Sequence, residues 1–309
     1  MASIAYLGPA GTFTEAALLQ MTDAGMVPGG DWQPLPVDST TAALDAVRDG
    51  AAEFACVPIE NSIDGSIMPT LDSLAIGTPL QVFAELTLDV AFSIAVKPGR
   101  TAAEVRTLAA FPVAAAQVRQ WLAAHLPAAE LRPAISNADA AQQVADGVVD
   151  AAVSSPLAAT HRGLSTLAEG VVDEANARTR FVLVGRPGSP PARTGADRTS
   201  VVLRIDNAPG ALVSTLAEFG MRGIDLTRIE SRPTRTELGT YVFFLDCVGH
   251  IDDDAVAEAL KALHQRCTDV RYLGSWPTGE VDGAPPPPSD DAARWLAGLR
   301  GGSVDGSAR

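Results

Sequence analysis

The stretch Asn176-Ala177-Arg178-Thr179-Arg180-Phe181-Val182-Leu183-Val184-Gly185 sets a hydroxyl and a guanidinium directly against four consecutive apolar residues. Two β-branched valines and a closing glycine mark that run as a short buried strand, with Thr179 and Arg180 at its start. Strand ends of this kind commonly line clefts in layered α/β proteins. A plain role also accounts for the pair, Thr179 bonding nearby backbone and Arg180 facing solvent.

Upstream, the same strand-to-polar-turn pattern recurs. Ser3 to Leu7 reads as a strand, followed by Gly8-Pro9-Ala10-Gly11-Thr12-Phe13-Thr14-Glu15 and a helical run from Ala16. Thr12 or Thr14 can cap that helix, whose free amides and positive dipole end favour a carboxylate. The turn lacks the lysine of a phosphate loop, so nucleotide binding is rejected. Asp38 to Thr41 opens a second helix carrying Ala43, Leu44 and Val47, and Gly50 stops it. The strand Phe54 to Ile59 then runs into the polar turn Glu60-Asn61-Ser62-Ile63-Asp64-Gly65-Ser66 and a helix with Ile67, Leu71 and Leu74. Turn formation by itself accounts for Asn61 and Ser62.

Val82 to Val96 reads as extended and closes at Lys97-Pro98-Gly99. Phe111-Pro112 precedes a helix from Val113 to Leu126 that carries Gln117, a residue type usually exposed. Ser136 to Asp139 caps a helix running to about Ala145, Asp150 to Ser154 is a strand, and Leu157 to His161 a short helix. Strands alternating with helices imply α/β layers, and two such groups, divided near residue 85 and rejoined near 170, imply two lobes with a cleft.

Residues 186–198 are a linker by composition, rich in Pro, Gly and Arg. After it come a strand at Thr199–Ile205, a helix at Gly210–Phe219, strands at Ile224–Arg232 and Gly239–Val248, a helix at Ala255–Cys267 and a strand at Val270–Ser275. That order is the ferredoxin-like βαββαβ unit, whose open sheet edge invites pairing between chains. Residues 281–309 read as a flexible Pro-rich tail with one amphipathic patch, Ala292, Trp295, Leu296 and Leu299.

Composition narrows the function. A formal charge of −14 argues against nucleic acid, which needs a basic surface to displace counterions. No apolar run approaches the roughly 20 residues that span a bilayer, and no signal-peptide pattern opens the chain, so a cytoplasmic protein without membrane partners is expected. Cys56, Cys247 and Cys267 are far apart and suit reduced thiols. The four histidines, His125, His161, His250 and His264, have no metal-ligand spacing, so neither metal nor cofactor is expected.

Three motifs in order, Gly8-Pro9-Ala10-Gly11-Thr12-Phe13, Pro58-Ile59-Glu60-Asn61-Ser62 and Thr179-Arg180-Phe181, resemble those of the prephenate dehydratases. The C-terminal unit resembles the ACT regulatory domain attached to them. The resemblance covers about residues 1–280. It implies that residues 1–185 form a two-lobed fold similar to periplasmic binding proteins, with a second lobe at about 85–170, and that residues 199–280 form the ACT domain. It implies Thr179 as the essential catalytic residue, and Thr12, Asn61, Ser62, Gln117, Arg180 and Phe181 as substrate-binding positions. In the segment of Gln117, relatives often have histidine before proline where this chain has Phe111, which removes any acid role for that histidine.

The activity so implied is conversion of prephenate to phenylpyruvate, carbon dioxide and water by a monofunctional enzyme without a cofactor. By the same resemblance phenylalanine is an effector bound between two ACT domains, at Asn207, Gly210, Ala211 and Leu212 and at Glu230, Ser231, Arg232 and Pro233. A homodimer or homotetramer follows. Gly210 after Pro209 is equally explained as a turn residue. Two other readings stand beside this one: an arogenate dehydratase, with the same chemistry on an amino substrate, and a non-catalytic amino-acid-sensing or solute-binding protein, which fits at fold level.

Overall fold

The computed structural model describes residues 2–174, 176–234, 239–279, 283–287 and 291–302. By its contacts the chain divides into Met1–Ser73 with Leu86–Gly185, and Leu74–Glu85 with Arg186–Arg309.

The chain runs β1 (Ala2–Leu7), α1 (Phe13–Asp23), β2 (Trp32–Val37), α2 (Thr40–Arg48), β3 (Phe54–Asn61), β4 (Gly65–Ser66), α3 (Met68–Ala75) and β5 (Gln81–Asp89), residues 74–85 of this stretch falling in the second unit. It crosses to a second lobe of β6 (Phe92–Val96), β7 (Thr107–Ala110), α4 (Pro112–Gln117), α5 (Arg119–His125), β8 (Glu130–Pro133), α6 (Asn137–Ala145), β9 (Ala151–Ser154), α7 (Pro156–His161) and β10 (Ser165–Val171). The strand β11 (Arg178–Gly185) returns to the first sheet. The sheet orders are β2-β1-β3-β11-β5, with β4 on β3, and β10-β6-β9-β7-β8. Parallel pairing of β1 with β2 and β3, and of β7 with β8 and β9, turns the C-terminal strand ends of each lobe to one edge. Loops leave such edges for helix starts, the geometry of a ligand cleft.

The core follows from the apolar runs. Ile4, Leu18, Leu44, Val57, Leu71 and Val182 are fully buried in the first lobe, and Phe92, Ile94, Leu108 and Val153 in the second. The low aromatic content shows in α6, where Ala138, Ala140, Ala141 and Val144 are all buried and small side chains bring helix and sheet close.

Two strands, β2 and β8, carry no run of buried apolar residues. β2 holds Pro34 and Pro36, which lack the ladder amide, and it is tolerated because it lies at the sheet edge. β8 is an edge strand exposed throughout. The helix read as Val113–Leu126 is two helices, broken at Val118 with φ −124° and ψ 13°. Asp173 causes the break to hold: its N–H donates to Gln117 O (2.7 Å), and its carboxylate accepts Gln120 N (2.8 Å) and Trp121 N (3.2 Å), supplying new partners where the first helix ends and the next begins.

The second unit contains β12 (Asp197–Arg204), α8 (Ala211–Gly220), β13 (Leu226–Pro233), β14 (Tyr241–Val248), α9 (Asp254–Arg266) and β15 (Asp269–Pro277), in sheet order β13-β14-β12-β15. This is the βαββαβ arrangement, with Val201, Leu203, Phe219, Leu245, Val256 and Leu263 at its core. The segment Leu74–Glu85 belongs with it. Arg271 donates to Leu74 O (3.0 Å) and Gly77 O (3.1 Å), and Trp276 Nε1 donates to Glu85 Oε2 (2.9 Å). Gly274, at φ +133°, is required for the approach, because a Cβ there would collide with the Val82 carbonyl oxygen.

Of the stretch read as a tail, residues 281, 282, 288–290 and 303–309 lie outside the described residues. Ala284 N donates to Asp225 Oδ2 (3.1 Å), and Asp291–Arg300 forms the helix α10, which exposes Trp295, Leu296 and Leu299.

Candidate active site

One segment, the return crossing at residues 173–179, gathers side chains from distant parts of the sequence. Its Ala177 carbonyl accepts Val90 N (2.7 Å) from the outward crossing, so the two connections between the lobes are bonded to each other. Two residues later, Thr179 pairs in register with Asn61 at the far end of β3. Asn61 Nδ2 donates to Thr179 Oγ1 at 2.9 Å. The amide orientation is fixed from the other side, because Asn61 Oδ1 accepts Ile63 N (2.8 Å) and Asp64 N (2.9 Å). Thr179 Oγ1 is therefore an acceptor toward Asn61, and its own proton is directed elsewhere.

Ser62 secures the same segment. Its Oγ donates to Asn176 O and accepts Arg178 N, each at 2.8 Å, while Ser62 N donates to Arg178 O (2.8 Å). Its hydroxyl is committed to shaping the turn. Gln117 is tethered through its carbonyl to Asp173, and its Oε1 is buried with no hydrogen-bond partner among the described residues. Arg180 is 7% exposed and its Nη2 lies 2.9 Å from Glu60 Oε2, pairing across the strands one position beyond Thr179 and Asn61. Successive strand residues face opposite sides, which separates the ion pair from the hydroxyl–amide pair. Phe181 is 2% exposed and is paired with Pro58 after a local register shift.

The Gly8–Thr14 turn borders an open cleft of about 740 Å³, with Pro36, Val37 and Asp38 beside it and Phe111, Ile135, Ser136 and Asn137 from the second lobe opposite. Thr12 caps α1: its Oγ1 accepts Glu15 N (3.3 Å) and donates to Leu7 O (2.9 Å). Glu15 Oε2 accepts Gly11 N (2.5 Å) and Glu15 Oε1 accepts the Tyr6 hydroxyl (3.2 Å). Burial first, and the Glu15 charge second, push the Tyr6 hydroxyl well above the usual tyrosine range. From the second lobe, Ser155 Oγ donates to Gly11 O and Ala158 packs on Gly11, which has φ +95°. Phe13 meets Phe92 edge-on, with ring centroids 5.6 Å apart.

Of the expected effector residues, Asn207, Ala211 and Leu212 line a cavity of about 400 Å³ with Arg204, Thr240 and Tyr241. Gly210 stands beside it at φ +78°, as the N-cap of α8. Glu230, Ser231, Arg232 and Pro233 lie on the edge strand β13 and are not among the residues lining that cavity. Among the described residues no group of three or more His, Cys, Asp or Glu is placed to hold a metal.

Sequence reasoning missed Asp173, Tyr6 and the fixed role of Glu15. The signal for Glu15 was its place three residues after Thr12, the spacing of a helix-start box, although here the carboxylate bonds Gly11 N rather than the cap residue's amide. Nothing local marks Asp173, whose partners are more than 50 residues away.

Fold and site together define a two-lobed α/β cleft protein with a polar cluster at its lobe crossing and a separate βαββαβ unit. Residues 4–189 match the prephenate dehydratase family model and residues 199–265 the ACT domain model. Prephenate dehydratases of Mycobacterium bovis and Mycobacterium tuberculosis are 79% identical over 308 residues, covering 99% of this chain and 96% of theirs. The prephenate dehydratase of Arthrobacter aurescens, solved in complex with L-Phe, is 41% identical with a TM-score of 0.86, covering 98% of this chain and 99% of that one. GqqA, described as a novel type of quorum quenching acylase, is 30% identical with a TM-score of 0.79, covering 89% of this chain and 97% of that one. The chain belongs to the prephenate dehydratase family.

Proposed function

We propose that the first unit converts prephenate to phenylpyruvate as a carbon–oxygen lyase, with Thr179 as the group that acts on the leaving oxygen. The bond from the ring to its carboxylate breaks, its electron pair becomes a ring π-bond, and the ring hydroxyl leaves as water after gaining one proton. Aromatisation drives the reaction, so the protein has only to help the oxygen depart. The Asn61 amide, donating to Thr179 Oγ1 at 2.9 Å, carries this reading, because it leaves the Thr179 proton free for the substrate. Thr179 is a weak acid and acts as a hydrogen-bond donor that relays to the leaving oxygen a proton drawn from solvent water.

The other residues have supporting parts. The amino end of α1, shaped by Thr12, suits a substrate carboxylate, and Gln117 offers an amide from the second lobe. Pro36, Val37, Phe111 and Ile135 give the cleft an apolar wall, where a poorly solvated ring carboxylate favours loss of its charge as carbon dioxide. Ser62 and the Arg180–Glu60 pair hold the strand ends, with Phe181 packed behind them.

An acylase activity like that described for GqqA needs a nucleophile activated by a neighbouring base. Thr179 Oγ1 instead receives a hydrogen bond from an amide, which favours the dehydratase. The ACT unit answers to phenylalanine at the cavity of Asn207, Ala211 and Leu212, beside Gly210, a reading supported by the Arthrobacter complex, and Glu230–Pro233 complete the site when two ACT units meet in a homodimer or homotetramer.

The test is turnover of purified protein on prephenate, and on arogenate for comparison, for wild type and Thr179→Val, with and without phenylalanine. Phenylpyruvate production that is lost in the folded variant and altered by phenylalanine supports the proposal. Binding of prephenate by the wild type without product overturns it in favour of a sensing protein.

A further inference from the structure

We infer that Asp173 is a positioning residue for the dehydration: it holds Gln117 in place by binding the break between α4 and α5 to the return crossing that leads to Thr179. The inference rests on the proposed reaction and concerns a residue that touches no reacting atom.

Asp173 spends its N–H and both carboxylate oxygens on one helix break. The backbone N–H holds the last carbonyl of α4, that of Gln117, at 2.7 Å, and the two carboxylate oxygens take the first free amides of α5, from Gln120 and Trp121. Helix ends leave such groups without intrahelical partners, so a carboxylate here both satisfies them and complements the positive end of α5. Asp173 is six residues before Thr179 on the crossing that Ala177 and Val90 pin by backbone. Ser62 clasps the same stretch at Asn176 and Arg178. Residues 173 and 176–178 are thus each bonded to their surroundings, with Gln117 tied at the Asp173 end and Thr179 following at the other. Val118 and Ala114, on the same helical stretch as Gln117, are buried with Val90 and Ala177 in one cluster, which keeps α4 against the crossing.

The Gln117 side chain makes this placement matter. Its Oε1 is buried and has no donor among the described residues, an arrangement that costs free energy and persists where a group is held for a ligand. Displacement of a binding group by about 1 Å from productive geometry can cost on the order of 100-fold in rate. A cap of this kind contributes only a small part of a fold's stability. Removing the Asp173 side chain leaves the Asp173 N–H bond to Gln117 O but frees the start of α5, so the fold stands while the break beside Gln117 loosens.

The experiment compares wild type, Asp173→Ala, Asp173→Asn, Gln117→Ala and the Asp173→Ala/Gln117→Ala double variant on prephenate, with thermal unfolding of each. In Asp173→Ala, kcat/KM falls about tenfold with the fold intact, and Asp173→Asn, which keeps one of the two acceptors at the cap, recovers it to within about threefold of wild type. In the Gln117→Ala background, Asp173→Ala adds no further loss, as expected of residues acting through one another. An Asp173→Ala protein that unfolds at lower temperature but keeps wild-type kcat and KM overturns the inference, and so does a loss that adds in full to that of Gln117→Ala. If wild type itself does not turn over prephenate, the proposed function fails before this inference is reached.

Discussion

Asn61 Nδ2 reaches Thr179 Oγ1 at 2.9 Å across 118 residues of sequence, and the Asn61 carbonyl oxygen is occupied by two backbone amides of its own turn. The threonine oxygen is left with one role toward Asn61, acceptance, and its own proton points to another partner. Thr179→Val should lower kcat by about 10²–10⁴-fold, the usual range for a lost proton-transfer group. Asn61→Ala should lose less, and the double variant should lose little more than Thr179→Val. Steady-state kinetics on folded proteins decide this, and full additivity would show that the two side chains act independently.

In the second unit, Glu85 is buried against Trp276 Nε1 (2.9 Å) and Arg198 Nε (3.5 Å), and Arg198 and Arg228 both approach Asp246. Removing one member of a buried ionic group costs about 3–5 kcal/mol, because its partner stays buried and uncompensated. Glu85→Ala should accordingly lower the unfolding temperature markedly. A fragment starting at Arg186 lacks Leu74–Glu85, and its Trp276 has no Glu85 to bond. It should unfold at lower temperature than the same unit in the full chain, as measured by circular dichroism, and equal stability would remove Leu74–Glu85 from the unit.

Gly11 combines φ +95° with a position where a Cβ would stand 2.7 Å from the Ala158 Cβ. Gly11→Ala should cost about 1–3 kcal/mol in thermal unfolding, as a left-handed alanine and a forced contact between lobes. A variant as stable as wild type would show that the Gly8–Thr14 turn is not held by Ala158.

Two of the three thiols are closed to reagents. Burial pushes the Cys56 thiol far up, and burial together with the Asp246 charge pushes Cys247 up to about 12. Cys267 is raised less and is partly exposed. Near pH 8 a thiol-specific reagent should modify native protein slowly and at Cys267 alone, and all three cysteines after denaturation. Fast native labelling at Cys56 would contradict its placement in the first core.

Legibility in the sequence followed how local the governing interaction is. The strand Phe181–Val184, the βαββαβ order and the Ser39 and Ser136 helix caps were readable because apolar runs, turn residues and capping spacings act within a few residues. β2 and β8 were not, since edge strands paired on one side need no apolar pattern and admit proline. The motif at Asn61 and Ser62 was visible, but its division of labour was not: Asn61 meets Thr179, whereas Ser62 spends its hydroxyl on backbone.

The sequence by itself determined most element types, the α/β class and the βαββαβ unit, and it singled out Thr179 and Asn61, because these are written in residue chemistry at short range. Only the tertiary structure decided that Asp173 binds the break after Gln117, that Gly11 is gripped from the second lobe, and that Leu74–Glu85 belongs with the C-terminal unit. Each of those depends on a donor meeting an acceptor, or a backbone meeting a side chain, from a part of the chain 40 or more residues away. No local pattern encodes such a meeting; it exists only when the packed core has fixed both partners in place.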